Sequence, residues 1–590
     1  MMRIPRAAGL VLALAACGPG SRSGDDQSPT THLEIDPPDA SVTVMDGVAV
    51  VQAYTATLVD AHGHRTDVTQ TATFSLADLD FGAWSGPSLT VTGAAAGPTM
   101  VMASDGQVTG STGLTVYVQG ERDDGTVPPD AGALFAGATE TVGHAPNIVY
   151  PAAGITVPPN LGEFDVHWTD SAGNDLFQIE LKNQYVDLTI YKQTAAPAYT
   201  TYTPAEWFAL ASPAEPLSLT VAGLATADPA IKGTTAPQDV ETTNEQVAGG
   251  CYYWTTEPTQ GVYRYDMSTP SIPPSPYFTA SQQPTSCIGC HGLSHDGTKM
   301  ALTLDQGNGR GTIYDVGSQT VLVPFATNPQ YWNFATFNAD ATKVVTVFQG
   351  QMSLRATMGG AILASIPSDP GYLATHPELS PDGTMLANVE TTSDYYDFQV
   401  SDGTIVTRSY DDATGTFGPI KQLVANAAGA SNYYPSWSPD GQWILFTRTS
   451  GNSYNDASAQ VWVVKADGSM PPIQLVNADL GPNLTDSWAR WTPFMQTFGA
   501  QDETLYYFTF STTRPFGVRA TGGTQIWMAP FFPDRAAAGM DPSGPAFHMP
   551  FQLLTSSNHI AQWTDAVVIG RNTDGSPRTQ AQAVREASAR

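Results

Sequence analysis

WSPDG, at residues 437–441, is the clearest copy of a motif that recurs along the second half of this 590-residue chain. Further copies begin at Leu293, Phe337 and Leu379, and two degenerate copies begin at Trp491 and Trp563. The apolar first residue can anchor one strand, and the Asp-Gly pair favours a tight turn into the next strand. The sequence therefore predicts hairpins that repeat at intervals of roughly 40 to 70 residues, which is typical of a repeat architecture.

The motif resembles the repeat of TolB-like β-propellers, which are known by the sequence Trp-Ser-Pro-Asp-Gly. The resemblance implies one blade for each copy, and thus a six-bladed propeller over residues 251–568. The copy at Trp563 has too little chain after it to complete a blade. We therefore expect the strand near His559 to close the ring against residues 251–279, because closure removes exposed strand edges. The alternative is that residues 251–254 belong to the module that precedes the propeller.

Two regions before the propeller alternate apolar and polar residues, which is the pattern of half-buried strands. Residues 31–119 resemble a bacterial Ig-like domain of the group 2 type, with the match in Ile35-Asp36-Pro37 and in the turn at residues 66–69. Residues 146–250 resemble a fibronectin type III domain, and residues 120–145 are predicted to be a linker. The predicted fold class is all-β, with an Ig-like β-sandwich, a fibronectin type III-like β-sandwich and the propeller.

The composition excludes one class of partner. Lys and Arg number 25 against 55 Asp and Glu, which gives a net charge of −30. No clustered basic stripe offsets this charge, so nucleic-acid binding is not expected. At 41% hydrophobic and 14% charged residues, the chain can bury a large core. Only the polar residues 569–590 are expected to form a disordered tail.

The N-terminus indicates export and a lipid anchor. Its apolar run, Ala7 to Ala16, is too short to cross a bilayer. The run ends at Leu14-Ala15-Ala16-Cys17, which resembles the lipobox of bacterial lipoproteins. The resemblance implies that residues 1–16 are a signal peptide, that Cys17 takes the lipid, and that residues 17–30 are a flexible tether to the membrane. It also implies an outer membrane lipoprotein that faces the periplasm or the cell surface. An ordinary secretion signal with a chance cysteine is the alternative.

A C-x-x-C-H motif lies at residues 287–291 and is the attachment signature of c-type haem. Cys287 and Cys290 can form thioethers with the two vinyl groups of one haem c, and His291 is then the ligand of the haem iron. Predicted export suits this interpretation, because c-type haem is attached outside the cytoplasm. The helical domain of cytochromes c is missing from the sequence, so a Cys287–Cys290 disulfide or a vestigial motif is the alternative.

The repeat also places other side chains. His291 aligns with the mouth of the central channel, where propellers usually bind ligands. His376 and His559 lie one or two positions before the equivalent place on other blades, and either can supply the sixth iron ligand. Cys251 is expected to be a buried strand residue, and His167 is expected to lie on the surface.

Two functions remain open at this point. The sequence has no Gly-x-Ser-x-Gly elbow, P-loop or His-Glu-x-x-His motif, so enzyme activity is expected only through a haem. The first function is electron transfer by a lipid-anchored protein with one covalent haem. The second is a haem-free binding scaffold, as the resemblance to TolB implies, with a protein or glycan partner at the propeller face. Haem content separates the two.

Overall fold

The structure is a computed structural model that describes residues 31–280, 285, 287–326, 329–392, 398–427, 429–453, 455–481, 483–572 and 574–588. Strands make up most of it, and the described helices are short: Leu79–Phe81, Ala131–Gly137, Pro204–Ala211, Val476–Asp479, Pro533–Ala537 and Gln580–Ser588. The all-β prediction is confirmed. The predicted signal peptide and tether, including Cys17, lie outside the described residues. None of the described helices is long and apolar enough to cross a membrane.

The N-terminal region contains two sets of strands that share one large sheet. The first set is His32–Asp36, Ala40–Met45, Val50–Ala53, Thr55–Val59, Arg65–Asp67, Thr73–Leu76, Gly82–Ser85, Ser88–Val91, Gly97–Ser104 and Thr109–Asp123. The second set is Thr139–Glu140, Asn147–Tyr150, Ile155–Val157, Phe164–Thr169, Leu176–Lys182, Val186–Gln193, Ala198–Tyr202, Leu217–Ala225, Asp228–Thr234 and Gln238–Thr242. Thr109–Asp123 pairs in parallel with Val186–Gln193, so both sets contribute to an 11-stranded sheet.

Residues 120–145, which we predicted to be a linker, are instead part of this packed structure. Residues 120–123 end the long strand Thr109–Asp123, and Ala131–Gly137 forms a helix. The helix buries Phe135 against Tyr191 and Leu224 of the sheet. The Asp, Gly and Pro content that favoured a linker reflects the turns on either side of the helix, and the few apolar residues between those turns are enough to dock it.

The propeller consists of six sheets of at least four strands, each named here as a blade with its inner strand first. Blade 1 is Asn558–Thr564, Gly250–Thr255, Gly261–Asp266 and Ser275–Thr279; blade 2 is Ile288–Leu293, Lys299–Leu304, Arg310–Asp315 and Thr320–Val323, with Gln330–Tyr331 at its edge; blade 3 is Ala335–Phe337, Lys343–Phe348, Gln351–Ala356 and Ile362–Ile366. Blade 4 is Leu373–Leu379, Met385–Thr391, Thr404–Asp411 and Lys421–Val424, with Thr416–Phe417; blade 5 is Ser431–Trp437, Trp443–Thr449, Gln460–Lys465 and Ile473–Gln474; blade 6 is Ser487–Phe498, Glu503–Thr512, Gln525–Phe531 and Phe547–His548.

The repeated motif ties neighbouring blades together. Its tryptophan lies on the inner strand in blades 5 and 6, and the indole N–H donates a hydrogen bond to the blade before it. Trp437 donates to the backbone oxygen of Glu378 at 3.0 Å, and Trp491 donates to that of Ser436 at 3.0 Å. The motif therefore specifies both the turn within a blade and the contact between blades.

The ring closes as predicted. Asn558–Thr564 pairs antiparallel with Gly250–Thr255, with Cys251 opposite Trp563 and Thr255 opposite Asn558. The C-terminal strand Asn558–Thr564 is thus the inner strand of blade 1, and residues 250–279 form the other three strands of that blade. Cys251 is fully buried there, as predicted. The alternative, in which residues 251–254 complete the preceding module, is wrong.

The segment 569–590, which we predicted to be a disordered tail, is ordered up to residue 588 in the described part of the chain. Val568–Arg571 pairs with Pro577–Thr579, and Gln580–Ser588 is a helix. Arg571 forms an ion pair with Asp315 of blade 2, and the Gln580 side chain donates to Thr269 at 2.9 Å. These contacts are polar, so no apolar periodicity in the sequence could indicate them.

A buried polar cluster joins the N-terminal region to blade 6. His167 is fully buried, so our expectation that it lies on the surface was wrong. Its Nε2 lies 3.2 Å from Asp165, and its Nδ1 accepts the backbone N–H of Val518 at 3.2 Å. Asp165 also accepts a hydrogen bond from Arg519 at 2.7 Å. The alternation of its strand places His167 on an outward face, and it is the propeller that covers this face.

Candidate functional site

The inner strands share an irregularity at one position. The pairing register shifts between Ile288 and His291, between Thr375 and Glu378, between Tyr433 and Ser436, and between Ser487 and Arg490. The residues at this position in blades 4, 5, 6 and 1 have left-handed backbone angles: His376 (φ 48°), Tyr434 (φ 52°), Trp488 (φ 58°) and Ile560 (φ 56°). A bulge re-aims a side chain, and left-handed non-glycine residues cluster at functional sites.

These bulges bring aromatic rings of different blades into contact. The Phe334 ring lies 4.6 Å from that of His376, and the His376 ring lies 4.2 Å from that of Tyr434. Tyr434 stacks on Trp488 with their centroids 3.7 Å apart. We call these four residues the aromatic ring. Two cavities adjoin it: all four residues line one of them, and Trp488 also lines the other.

The first space, here called the cysteine chamber, is a cavity of about 460 Å³ at the beginnings of the inner strands. Cys287, Cys290 and His559 all line it. Its apolar wall includes Trp254, Ile288, Phe398, Tyr433, Trp488 and Ile560. The chamber thus unites both thiols of the C-x-x-C-H motif with an imidazole from blade 1.

The Cys287 thiol and the His559 imidazole are in their neutral forms at neutral pH. Burial raises the pKa of the Cys287 thiol, and Cys287 and Cys290 are not joined by a disulfide. Burial, together with the nearby His291, lowers the pKa of His559 to about 4. A neutral imidazole is the form that binds a metal, so His559 is in the state required of a ligand. Its ring packs 4.6 Å from that of Trp254.

The second space, here called the histidine chamber, is a cavity of about 270 Å³ lined by the second halves of the inner strands. His291 and His376 line it, together with Glu378, Arg490 and Asp565. The sequence-predicted histidines are therefore divided: His559 lies in the cysteine chamber, and His291 and His376 lie in the other. Within the described residues, no group of three or more His, Cys, Asp or Glu side chains is arranged to hold a metal ion.

His291 is held by a backbone group. Its Nε2 lies 3.2 Å from the carbonyl oxygen of Tyr252, and since a carbonyl can only accept, Nε2 carries the proton. Burial, together with the charge of Arg490, lowers the pKa of His291 to about 4. Its Nδ1 is buried with no hydrogen-bond partner in the described part of the chain. His291 is therefore a neutral imidazole whose free lone pair is on Nδ1.

Sequence reasoning located both thiols and the three histidines, but it missed Glu378, Arg490 and Asp565. Glu378 and Arg490 lie one or two positions after the bulges of their inner strands, and Asp565 directly follows the inner strand of blade 1. An alignment of the repeats by their bulges, rather than by their turns, would have singled out Glu378 and Arg490.

No family model matches the sequence, and no curated protein matches it. Among solved structures, the chain is similar to the putative TolB from Agrobacterium tumefaciens, with 13% identity over 51% of this chain and 88% of that chain and a TM-score of 0.29. TolB from Acinetobacter baumannii is 14% identical over 74% of this chain and 95% of that chain, with a TM-score of 0.27. An oligogalacturonate lyase in complex with manganese is 11% identical over 48% of this chain and 83% of that chain, with a TM-score of 0.27. Similarity at this level carries no argument about function. The chain is a six-bladed β-propeller protein with an all-β N-terminal region, as its own strand pairing shows.

Proposed function

We propose that this protein is a cell-envelope β-propeller that holds one covalent c-type haem in the cysteine chamber and transfers electrons. The observation that carries the proposal is that Cys287, Cys290 and His559 line one cavity. Covalent attachment needs two thiols three positions apart, and iron needs a neutral imidazole on the same side. The apolar wall of the chamber suits a porphyrin. When bound, the haem would accept and release one electron.

The arrangement favours His559 over His291 as an iron ligand. His291 follows the second cysteine and is the ligand that the motif implies. However, its Nε2 donates to Tyr252, and its side chain lines the histidine chamber. His559 lines the cysteine chamber itself. We therefore assign the imidazole that faces the cofactor to His559, and we assign to His291 the positioning of the Cys290 strand against Tyr252 of blade 1.

The test is to express the full chain in a host that attaches c-type haem. We expect one haem per chain in the pyridine haemochrome spectrum, with haem staining that survives denaturing electrophoresis. Cys287→Ala with Cys290→Ala should abolish that stain. His559→Ala should retain the covalent haem and change its visible spectrum, because an iron ligand is lost. The matched control, His376→Ala, removes a histidine of the other chamber and should leave the spectrum unchanged.

Two results would contradict these assignments. A colourless wild-type protein with a Cys287–Cys290 disulfide in its mass spectrum would show that the haem proposal is wrong. A spectrum that changes in His291→Gln but not in His559→Ala would instead return the ligand role to His291. The haem-free binding scaffold is the second candidate function, and the polar lining of the histidine chamber favours it.

We also propose that Cys17 anchors the protein to a membrane through a lipid. The lipobox at residues 14–17 supports this, and the net charge of −30 gives the body of the protein no attraction to anionic lipid. Cells fed a fatty-acid probe should label the wild-type chain but not Cys17→Ala. Cys287→Ala is the matched control and should label normally. Equal labelling of wild type and Cys17→Ala would show that the lipid proposal is wrong.

A further inference from the structure

We propose that the histidine chamber is a binding site for an uncharged, polyhydroxylated small molecule of about one sugar ring. The histidine chamber shares Cys290 and Trp488 with the cysteine chamber, but its histidines and charged residues do not line the cysteine chamber, and the proposal does not depend on the haem. Three observations carry it: buried polar atoms without partners, a balance of opposite charges that are not paired with each other, and an aromatic floor.

Several residues that line the chamber carry buried polar atoms with no hydrogen-bond partner among the described residues. They are both ring nitrogens of His376, Nδ1 of His291 and Nε of Arg490. His376 is only 4% exposed. Leaving a buried polar group without a hydrogen-bond partner costs free energy, so each such group needs a partner such as a ligand or an ordered water. Four of them on one cavity indicate a site prepared for a polar ligand.

The charges in the chamber determine which ligand can enter. Arg490 supplies one positive charge, and Glu378 and Asp565 supply two carboxyl groups. Burial raises the pKa of Glu378, and burial also raises that of Asp565. No ion pair joins Arg490 to either carboxyl group in the described structure, although the charge of Arg490 acts to lower the pKa of Glu378. The carboxyl groups would repel an anionic ligand, and Arg490 would repel a cationic ligand.

A hydroxyl group fits this set, because it donates one hydrogen bond and accepts two. The donors are Nε–H of Arg490 and the single N–H of neutral His376. The acceptors are Nδ1 of His291, the other nitrogen of His376 and the carboxyl oxygens of Glu378. A molecule with several hydroxyls can therefore satisfy donors and acceptors that lie side by side.

The floor of the chamber is aromatic. Phe334, Tyr434 and Trp488 line it from the aromatic ring, and Trp437 and Trp491 line its wall. The C–H face of a sugar ring can pack on such surfaces while its hydroxyls reach the polar groups. Ligand pockets commonly combine an aromatic lining with a few polar groups that orient the ligand. The volume of about 270 Å³ limits the ligand to a small molecule.

The test is to titrate the full chain with glucose, galactose and N-acetylglucosamine, and to follow tryptophan fluorescence and binding heat. We expect at least one of these sugars to bind, and acetate and tetramethylammonium to bind at least tenfold more weakly. His376→Phe keeps an aromatic side chain at this position, like that of Phe334 on the neighbouring blade. It should weaken sugar binding at least tenfold. Glu378→Gln preserves the shape of the side chain and should also weaken it. The matched control is His64→Phe, at an exposed turn of the N-terminal region.

Each outcome has a clear consequence. Loss of binding in Glu378→Gln with an unchanged melting temperature supports the proposal, even if His376→Phe fails to fold. Binding of none of the three sugars would overturn the proposal, as would equal binding of acetate or binding that neither variant alters. A haem-free preparation should bind the same sugars, so failure of the haem proposal and failure of this one are distinguishable.

Discussion

Truncation after Thr555 should abolish the cooperative unfolding of the propeller. The deleted segment contains Asn558–Thr564, which is the inner strand of blade 1. Its loss would remove the partner of Gly250–Thr255 and expose an unpaired strand edge that templates aggregation. It would also open the channel that both chambers need. We expect broad, non-cooperative thermal melting and aggregates in size-exclusion chromatography.

The matched control is truncation after Asn572. This shorter deletion removes the C-terminal helix Gln580–Ser588 but retains the closing strand and the ion pair between Arg571 and Asp315. It should lower the melting temperature only slightly, because the lost contacts are few and polar. If both truncations melt like the full chain, the closing strand is not required for the ring, and this account of closure is wrong.

Acid should destabilise the protein between pH 7.5 and pH 5.5. Burial lowers the pKa of His548 to about 3 and that of His291 to about 4, and it holds the pKa of His376 well below the ordinary value. The unfolded chain takes up protons near pH 6.5, but the folded chain does not until the pH reaches the lowered values. The stability that depends on the neutral buried histidines is therefore fully present above about pH 6.5. It is lost as the pH falls towards the pKa values of these histidines in the folded protein.

The magnitude follows from the proton uptake. Each such histidine lowers the free energy of unfolding by about 1.4 kcal/mol for each pH unit below 6.5, so His548 alone should contribute about 1.4 kcal/mol of destabilisation at pH 5.5. Urea unfolding at pH 7.5 and at pH 5.5 measures this difference. The test variant is His548→Phe, which keeps the stacking of a ring on Phe516, now at 4.1 Å, and removes one titrating group.

His548→Phe should reduce the difference between the two pH values by about 1.4 kcal/mol. Gln525 and Gln552, which contact His548, each keep another hydrogen bond, so the substitution leaves no amide without a partner. The control is His64→Gln, because His64 is exposed. An equal pH dependence in wild type and His548→Phe would show that buried neutral histidines do not govern the acid sensitivity.

The sequence determined the repeat, the number of blades and the closure of the ring. These features are local: an apolar anchor, an Asp-Gly turn and a following strand are all visible within one copy such as residues 437–449. The position of Cys251 as a buried strand residue follows from the same pattern. The C-x-x-C-H motif at residues 287–291 is equally local, and it lies where the inner strand of blade 2 begins.

Only the tertiary structure decided how the histidines are divided and what covers the outward faces. His291 and Cys290 are adjacent in sequence, but His291 lines only the histidine chamber, Cys287 lines only the cysteine chamber, and Cys290 lines both. His167 is buried because the propeller packs on its strand, and Phe135 is buried because its helix docks on the large sheet. The physical reason is the same in each case. A strand pattern specifies which side chains share a face, whereas the environment of that face depends on segments that are tens to hundreds of residues away in the sequence.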